Sequence, residues 1–99
     1  MAESLILEEV FRVLEDRRDH PRPNSYVSSL MARGLRAILE KISEEAGELV
    51  EAAEFKGESE IVHEAADLLF HVMVLLAYKR VGLEKVFEEL RARRKPRGR

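Results

Sequence analysis

Residues 63–78 read HEAADLLFHVMVLLAY, and this stretch decides the fold. Every residue from 68 to 77 except His71 is apolar, so a helix formed here is apolar on nearly all sides. Such a helix must be buried on most of its surface, yet a chain of 99 residues has few other helices to bury it. The pattern therefore predicts an all-α helical bundle that is completed by a second copy of the chain, a homodimer or higher homo-oligomer.

The rest of the chain reads as helices separated by short breaks. Proline occurs only at positions 21, 23 and 96, and no segment alternates apolar and polar residues as a half-buried strand does. We expect about five helices, over residues 3–18, 26–33, 35–56, 60–81 and 83–93, with Ser25 and Ser59 capping the second and the fourth. Residues 1–94 are then one domain, and 95–99 a basic, flexible tail.

The third helix carries the main acidic flank. Its expected apolar stripe is Leu35, Ile38, Leu39, Ile42, Ala46, Leu49, Val50 and Ala53. At about 100° per residue, Glu44 points away from that stripe into solvent. Lys41, Glu45 and Glu48 then lie along one side of the helix.

Composition excludes several classes of function. There is no cysteine, which excludes disulfides, thiolate zinc sites and cysteine nucleophiles and suits the cytoplasm. The N-terminus carries acids where a signal peptide is basic, and we expect no membrane-spanning segment. Residues 91–99 hold six of the 17 basic residues and no acid, so residues 1–90 have a net charge of −8. An acidic body disfavours a nucleic-acid partner.

Two acidic pairs, Glu45/Glu48 and Glu64/Asp67, carry the clearest chemistry. Each pair is spaced i, i+3, so both members project from one side of a helix. Burying carboxylates is costly unless something compensates, and a hard cation such as Mg²⁺ is the simplest compensation. If the third and fourth helices pack antiparallel, the two acidic flanks converge, and Lys41 either neutralises phosphate or pairs with Glu45.

Other interpretations of these residues stay open. Glu44, Glu45, Glu48 and Glu51 also fit a solvated face with surface ion pairs. His71 fits a hydrogen-bonded core histidine as well as a ligand. The basic tail fits either a phosphate contact or a solvated chain end.

The same residues carry a resemblance to a known family. EEAGE at 44–48 followed by EAAD at 64–67 resembles the signature of the all-α nucleoside triphosphate pyrophosphohydrolases. Ser25-Tyr26, Gly34, Lys41 and the segment HEAADLLFHVMVLLAYKRVGLEKVFEELRAR at 63–93 resemble a narrower family within it, phosphoribosyl-ATP pyrophosphohydrolase. The resemblance covers roughly residues 5–94. Val27, Ser43 and Phe70 replace the family's usual Thr, Gly and Tyr, and none of these changes removes a carboxylate.

The resemblance implies an activity and a set of site residues. The reaction is hydrolysis of phosphoribosyl-ATP at the α–β phosphoanhydride, the second step of histidine biosynthesis, which yields phosphoribosyl-AMP and pyrophosphate. The implied cofactor is Mg²⁺, and its implied ligands, which are also the catalytic residues, are Glu45, Glu48, Glu64 and Asp67, with Glu44 in a lesser role. The implied substrate contacts are Lys41, Tyr26, His71, Arg93 and Arg94.

Two alternative functions remain. A house-cleaning pyrophosphohydrolase for (deoxy)nucleoside triphosphates shares the fold and the acids, and turnover of the two substrates distinguishes it. A non-catalytic helical oligomerisation module predicts exposed acids and no effect of Mg²⁺ on stability.

Overall fold

The computed structural model describes residues 2–94, in which all regular secondary structure is helical. The helices are α1 (Ala2–Asp19), α2 (Tyr26–Arg33), α3 (Leu35–Phe55), α4 (Glu58–Tyr78) and α5 (Leu83–Arg93). The all-α prediction with five helices is confirmed. The predicted tail at 95–99 lies outside the described residues.

The predicted start of α2 is confirmed, and so is its end. The Ser25 side chain accepts a hydrogen bond from the backbone N–H of Ser28 at 3.1 Å, as an N-cap does. Gly34 has a φ of 95°, a left-handed conformation that glycine adopts without steric cost. Gly34 is the single residue between α2 and α3.

The predicted bounds of α4 are wrong at both ends. Gly57, not Ser59, is the N-cap, because its extended backbone lets the helix begin at Glu58. At the other end Arg80 takes a left-handed conformation with φ 59°, which stops the helix at Tyr78, before the predicted Val81.

Helices α3 and α4 form an antiparallel hairpin, the most extensively packed pair among the described residues. Helix α1 packs on α4, and α2 lies between α1 and α3. Four helices each place one side chain at the centre of the core: Leu14, Leu30, Ile38 and Val74 are all at most 1% exposed. The buried residues of α4 all lie in its second half, from His71 to Ala77. The end of the hairpin at the turn between α3 and α4 therefore packs against fewer other helices than the opposite end does.

Apolar side chains remain exposed along this hairpin. Leu39, Val50, Phe55, Val62 and Leu69 are 44% to 78% exposed. The predicted stripe of α3 is thus only partly buried, because α4 covers one side of the helix and no other described element covers the rest of the stripe in its second half. Homodimerisation, which would cover this surface, stays a prediction.

Helix α4 is also long and apolar enough to cross a membrane, the one helix of residues 2–94 for which this holds. Length and composition alone do not separate a membrane span from the core helix of a bundle. In this fold α4 packs against α1 and α3, and it bears Glu64 and Asp67 near its middle. Only 22% of its most apolar 18 residues are buried among the described residues, and the remainder includes surface that the predicted dimer would cover.

Candidate functional site

Three carboxylates converge between α3 and α4. Glu45 and Glu48 lie one turn apart on α3, and Glu64 faces them from α4. One oxygen from each lies within 4.8 Å of the other two. Two oxygen ligands on opposite sides of Mg²⁺ are about 4.2 Å apart, so the spacing of these oxygens is close to what the ion requires. Three of the four predicted ligands are thus brought together by the antiparallel hairpin.

Two oxygens of this carboxylate cluster (Glu45, Glu48 and Glu64) are buried without a partner. Glu45 is only 4% exposed, and neither its Oε1 nor the Oε1 of Glu64 accepts a hydrogen bond. A buried acceptor without a partner costs free energy that a coordinated cation removes. The oxygen-only donor set and the unsatisfied atoms fit Mg²⁺. The solvated-face interpretation therefore does not describe Glu45, whereas it does describe Glu44, whose side chain is 55% exposed.

The cluster is electrostatically strained. Burial raises the pKa of Glu48, and the neighbouring charges of Glu45 and Glu64, a hydrogen bond with Glu64 and the charge of Glu44 raise it further. Like charges held this close favour the protonated form of one member. A bound cation would reverse that preference.

Lys41 supplies positive charge at the edge of the cluster. Its Nζ lies 3.3 Å from Glu45 Oε2 and 3.4 Å from Glu44 Oε1. Burial lowers the pKa of Lys41, but its hydrogen bond to Glu45 and the charges of Tyr26 and Glu44 outweigh that effect and raise it. The pairing with Glu45 that the sequence allowed is present, and the phosphate contact stays a prediction.

Asp67, the fourth predicted ligand, stands apart from the other three. Its carboxylate is 40% exposed, and its Oδ2 lies 3.4 Å from Nε2 of His63, one turn earlier on α4. Its side chain is not among those whose oxygens converge. Sequence reasoning missed the contact with His63, although the i, i+4 spacing of His63 and Asp67 is a readable signal.

Tyr26 and His71 contact each other. The Tyr26 hydroxyl lies 2.7 Å from His71 Nε2, and His71 Nδ1 lies 2.8 Å from the backbone carbonyl oxygen of Asp67. His71 is 5% exposed, so the geometry agrees with the hydrogen-bonded core interpretation. The contact joins residues 45 positions apart, and no spacing rule reveals it.

The two predicted arginines lie at the end of α5: Arg93 is its last residue and Arg94 is its C-cap. Arg93 pairs with Glu89 at 3.1 Å, and both side chains are 63% exposed. Arg94 lines a groove of about 330 Å³ between α1 and α5, together with Glu8, Phe87, Leu90 and Arg91. No recorded ion pair joins either arginine to the carboxylate cluster within residues 2–94. Their role at the substrate stays a prediction.

Comparison with known proteins places the chain in a family. The model of the phosphoribosyl-ATP pyrophosphohydrolase family matches residues 7–94. A phosphoribosyl-ATP pyrophosphatase of Methanocella arvoryzae is 50% identical over 92 residues, which cover 91% of this chain and 97% of that protein. The corresponding protein of Geotalea daltonii is 44% identical over 88 residues, 89% of this chain and 83% of that one.

A further relative is larger than this chain. The histidine biosynthesis bifunctional protein HisIE of Thermoanaerobacter pseudethanolicus is 40% identical over 84 residues, which are 85% of this chain and 39% of that protein. The extent of these matches shows that the chain belongs to the phosphoribosyl-ATP pyrophosphohydrolase family of hydrolases.

Proposed function

We propose that this enzyme hydrolyses phosphoribosyl-ATP to phosphoribosyl-AMP and pyrophosphate, the second step of histidine biosynthesis. Water attacks at the α–β phosphoanhydride, the bridging P–O bond breaks, and the proton of the water passes to a basic group or to solvent. The observation that carries the proposal is the buried Glu45, with unpartnered oxygens on Glu45 and Glu64. The family membership and the names of the relatives support phosphoribosyl-ATP as the substrate.

We further propose Mg²⁺ as the cofactor, held by Glu45, Glu48 and Glu64, with Asp67 as the fourth ligand. Bound there, the ion supplies positive charge for the phosphate oxygens. Because the Asp67 carboxylate is half-exposed beside His63, it needs only a side-chain rotation to leave that contact. Glu44 is exposed and paired with Lys41, so its contribution is to hold that lysine.

Lys41 and a carboxylate of the cluster orient the reactants. Lys41 lies at the edge of the carboxylate cluster with its ammonium directed at two acids, and on substrate binding it can exchange one of them for a phosphate oxygen. A cluster carboxylate can accept a hydrogen bond from the attacking water and so align it for in-line displacement. No covalent intermediate is needed.

The enzyme is proposed to act as a homodimer. The two helices that carry the acids, α3 and α4, also carry exposed apolar side chains, Val50 and Val62 among them. A second copy that covered them would also enclose the carboxylate cluster, where exclusion of water strengthens electrostatic interactions. Cytoplasmic location and the absence of a nucleic-acid partner stay predictions.

Pyrophosphate release tests the proposed function. Phosphoribosyl-ATP, ATP and deoxynucleoside triphosphates should be compared, each with Mg²⁺ and with a chelator. We expect turnover of phosphoribosyl-ATP only with Mg²⁺, loss of turnover in Glu45→Gln, and little change in Glu51→Gln, an exposed acid of the same helix. Preferred turnover of a deoxynucleoside triphosphate would instead indicate the house-cleaning activity. No turnover and no effect of Mg²⁺ on stability would indicate the oligomerisation module.

A further inference from the structure

Both ring nitrogens of His71 are occupied by protein groups. A carbonyl oxygen only accepts hydrogen bonds, so the 2.8 Å contact with the Asp67 carbonyl puts the proton of the neutral ring on Nδ1. Nε2 then carries a lone pair, and the Tyr26 hydroxyl donates to it at 2.7 Å. With both nitrogens engaged and the ring 5% exposed, His71 offers no polar atom to a substrate.

Aromatic contacts fix the His71 ring on two sides. The Tyr26 ring meets it edge-on with centroids 5.7 Å apart, and the Phe70 ring meets it in the same manner at 5.4 Å. Edge-to-face arrangements of this kind are favourable beyond the area they bury. His71 is thereby a rigid anchor for the Tyr26 hydroxyl.

Tyr26 itself stands at the carboxylate cluster. Burial raises the pKa of the Tyr26 hydroxyl, while the charge of Lys41 lowers it and the charge of Glu45 raises it again. The Tyr26 hydroxyl is bonded to His71, and His71 in turn is bonded to the backbone carbonyl of Asp67, the predicted fourth ligand, so the phenol lies at the edge of the predicted site. The residue nevertheless remains 50% exposed. Since its hydroxyl is bonded to His71, the ring is the main contact that Tyr26 can offer to a ligand.

We propose that the Tyr26 ring is the surface on which the purine base of the nucleotide stacks, and that His71 is a positioning residue that acts through Tyr26. This rests on the proposed function for the identity of the nucleotide. An exposed aromatic residue near the carboxylate cluster, where the proposed Mg²⁺ would hold the phosphates, is suited to a base, because every base presents a π-face. The bond to His71 reduces the number of ring orientations that must be ordered when the base arrives.

Equilibrium binding of two product-like probes separates this role from a structural one. AMP contains the base, whereas inorganic pyrophosphate does not. By calorimetry with Mg²⁺ present, Tyr26→Leu should weaken AMP binding about 5- to 150-fold, the range that one stacked base contributes, and should leave pyrophosphate binding unchanged. Equal weakening of both probes would overturn the proposal, as would no weakening or a wild-type protein that does not bind AMP.

A double-mutant cycle tests the positioning role. Tyr26→Phe removes only the hydroxyl, and His71→Asn keeps a donor for the Asp67 carbonyl but, being shorter, places no acceptor at the position of Nε2. Each should raise KM for phosphoribosyl-ATP about 2- to 10-fold with kcat nearly unchanged, as loss of one hydrogen bond predicts. Because both changes break the same bond, the double variant should be no worse than either single one. Effects that multiply would show that His71 acts independently and would overturn its role through Tyr26.

Matched controls and one spectroscopic readout complete the test. Tyr78→Phe, at the other end of α4, and His20→Asn, on the exposed surface, should leave AMP binding and KM unchanged. Nitrogen NMR of the metal-free wild type should show His71 protonated on Nδ1, and protonation on Nε2 would overturn the geometry. Wild-type turnover tests the proposed function separately. A wild-type protein that is inactive but binds AMP, and binds it more weakly when Tyr26 is replaced, would refute the proposed function and leave this inference standing.

Discussion

At the scale of single residues, the carboxylate cluster is energetically unfavourable without a cation. Glu45 is buried with one unpartnered oxygen, and burial together with the charges of Glu45 and Glu64 raises the pKa of Glu48. The folded chain holds these groups close at a cost that the unfolded chain does not have. A cation bound as proposed would therefore stabilise the folded protein through these three side chains.

The linkage has a definite sign for Glu48. Its pKa in the folded protein is raised above the value of the unfolded chain, so the folded state binds the proton more tightly. Without metal, stability should fall as pH rises from the usual carboxyl pKa through the raised one. Thermal melts in chelator across this range should show that fall in the wild type and a smaller one in Glu48→Gln. Glu51→Gln should follow the wild type, and identical pH profiles for all three would contradict the prediction.

Asp67 carries a separate prediction. Asp67→Asn should abolish Mg²⁺-dependent turnover of phosphoribosyl-ATP, because the neutral amide is a poor ligand for a hard cation. The fold should persist, since the side chain is 40% exposed and its recorded ion pair is with the exposed His63. Helical circular dichroism and steady-state kinetics measure the two effects. Glu60→Gln, an exposed acid of the same helix, is the control, and wild-type activity in Asp67→Asn would remove Asp67 from the site.

At the scale of helices, local rules predicted some boundaries and missed others. Ser25 was predictable as a cap because it is a favoured N-cap residue that directly follows the proline-rich loop at 21–24 and directly precedes the apolar residues of α2. Ser59 was not the cap of α4, because Gly57 takes an extended conformation and two acids, Glu58 and Glu60, suit the first helical turn. Helix α4 ends because Arg80 takes a left-handed conformation. Residues with a side chain disfavour that conformation, so an arginine at this position does not predict a helix end.

Arg18 joins two helices at the same end of the bundle. Its Nη1 donates to the carbonyl oxygen of Ala77 at 2.8 Å, while Nε and Nη2 contact the two oxygens of Asp19. Arg18→Ala should lower the free energy of unfolding by about 1–3 kcal/mol, the range for hydrogen bonds from a charged donor. Chemical denaturation measures this. Arg12→Ala, on the exposed face of α1, should change stability little, and an equal loss in both variants would contradict the assignment.

The carboxylate site was more predictable than its surroundings. The i, i+3 spacing of the acids and the short link before Glu58 were enough to bring Glu45, Glu48 and Glu64 together, because an antiparallel hairpin pairs residues at equal distances from its turn. The Tyr26–His71 bond was beyond such rules, since it depends on how α2 crosses α4. The exposure of Val50 was missed for a related reason: the pattern marks a face as apolar but does not say which chain covers it.

At the scale of the whole molecule, the predicted homodimer has a direct test. Val50→Glu should leave the isolated protomer little changed, because Val50 is 59% exposed there, but it should disrupt a dimer that buries this face. Sedimentation at micromolar concentration should show dimers of the wild type and monomers of the variant. Val81→Glu, at an exposed position beyond the end of α4, is the control. A wild-type monomer would contradict the predicted dimer.

The acids of α4 have a consequence for the newly made chain. By length and composition this helix could cross a membrane, and Asp67 lies one residue from the middle of its 21 residues. An aspartate at the centre of an inserting helix costs about 2.5–3.5 kcal/mol on the translocon scale. Glu64, one turn away, adds to that barrier. The acids proposed to hold the metal would therefore also help keep the most apolar segment of the newly made chain in water until it packs against α1 and α3.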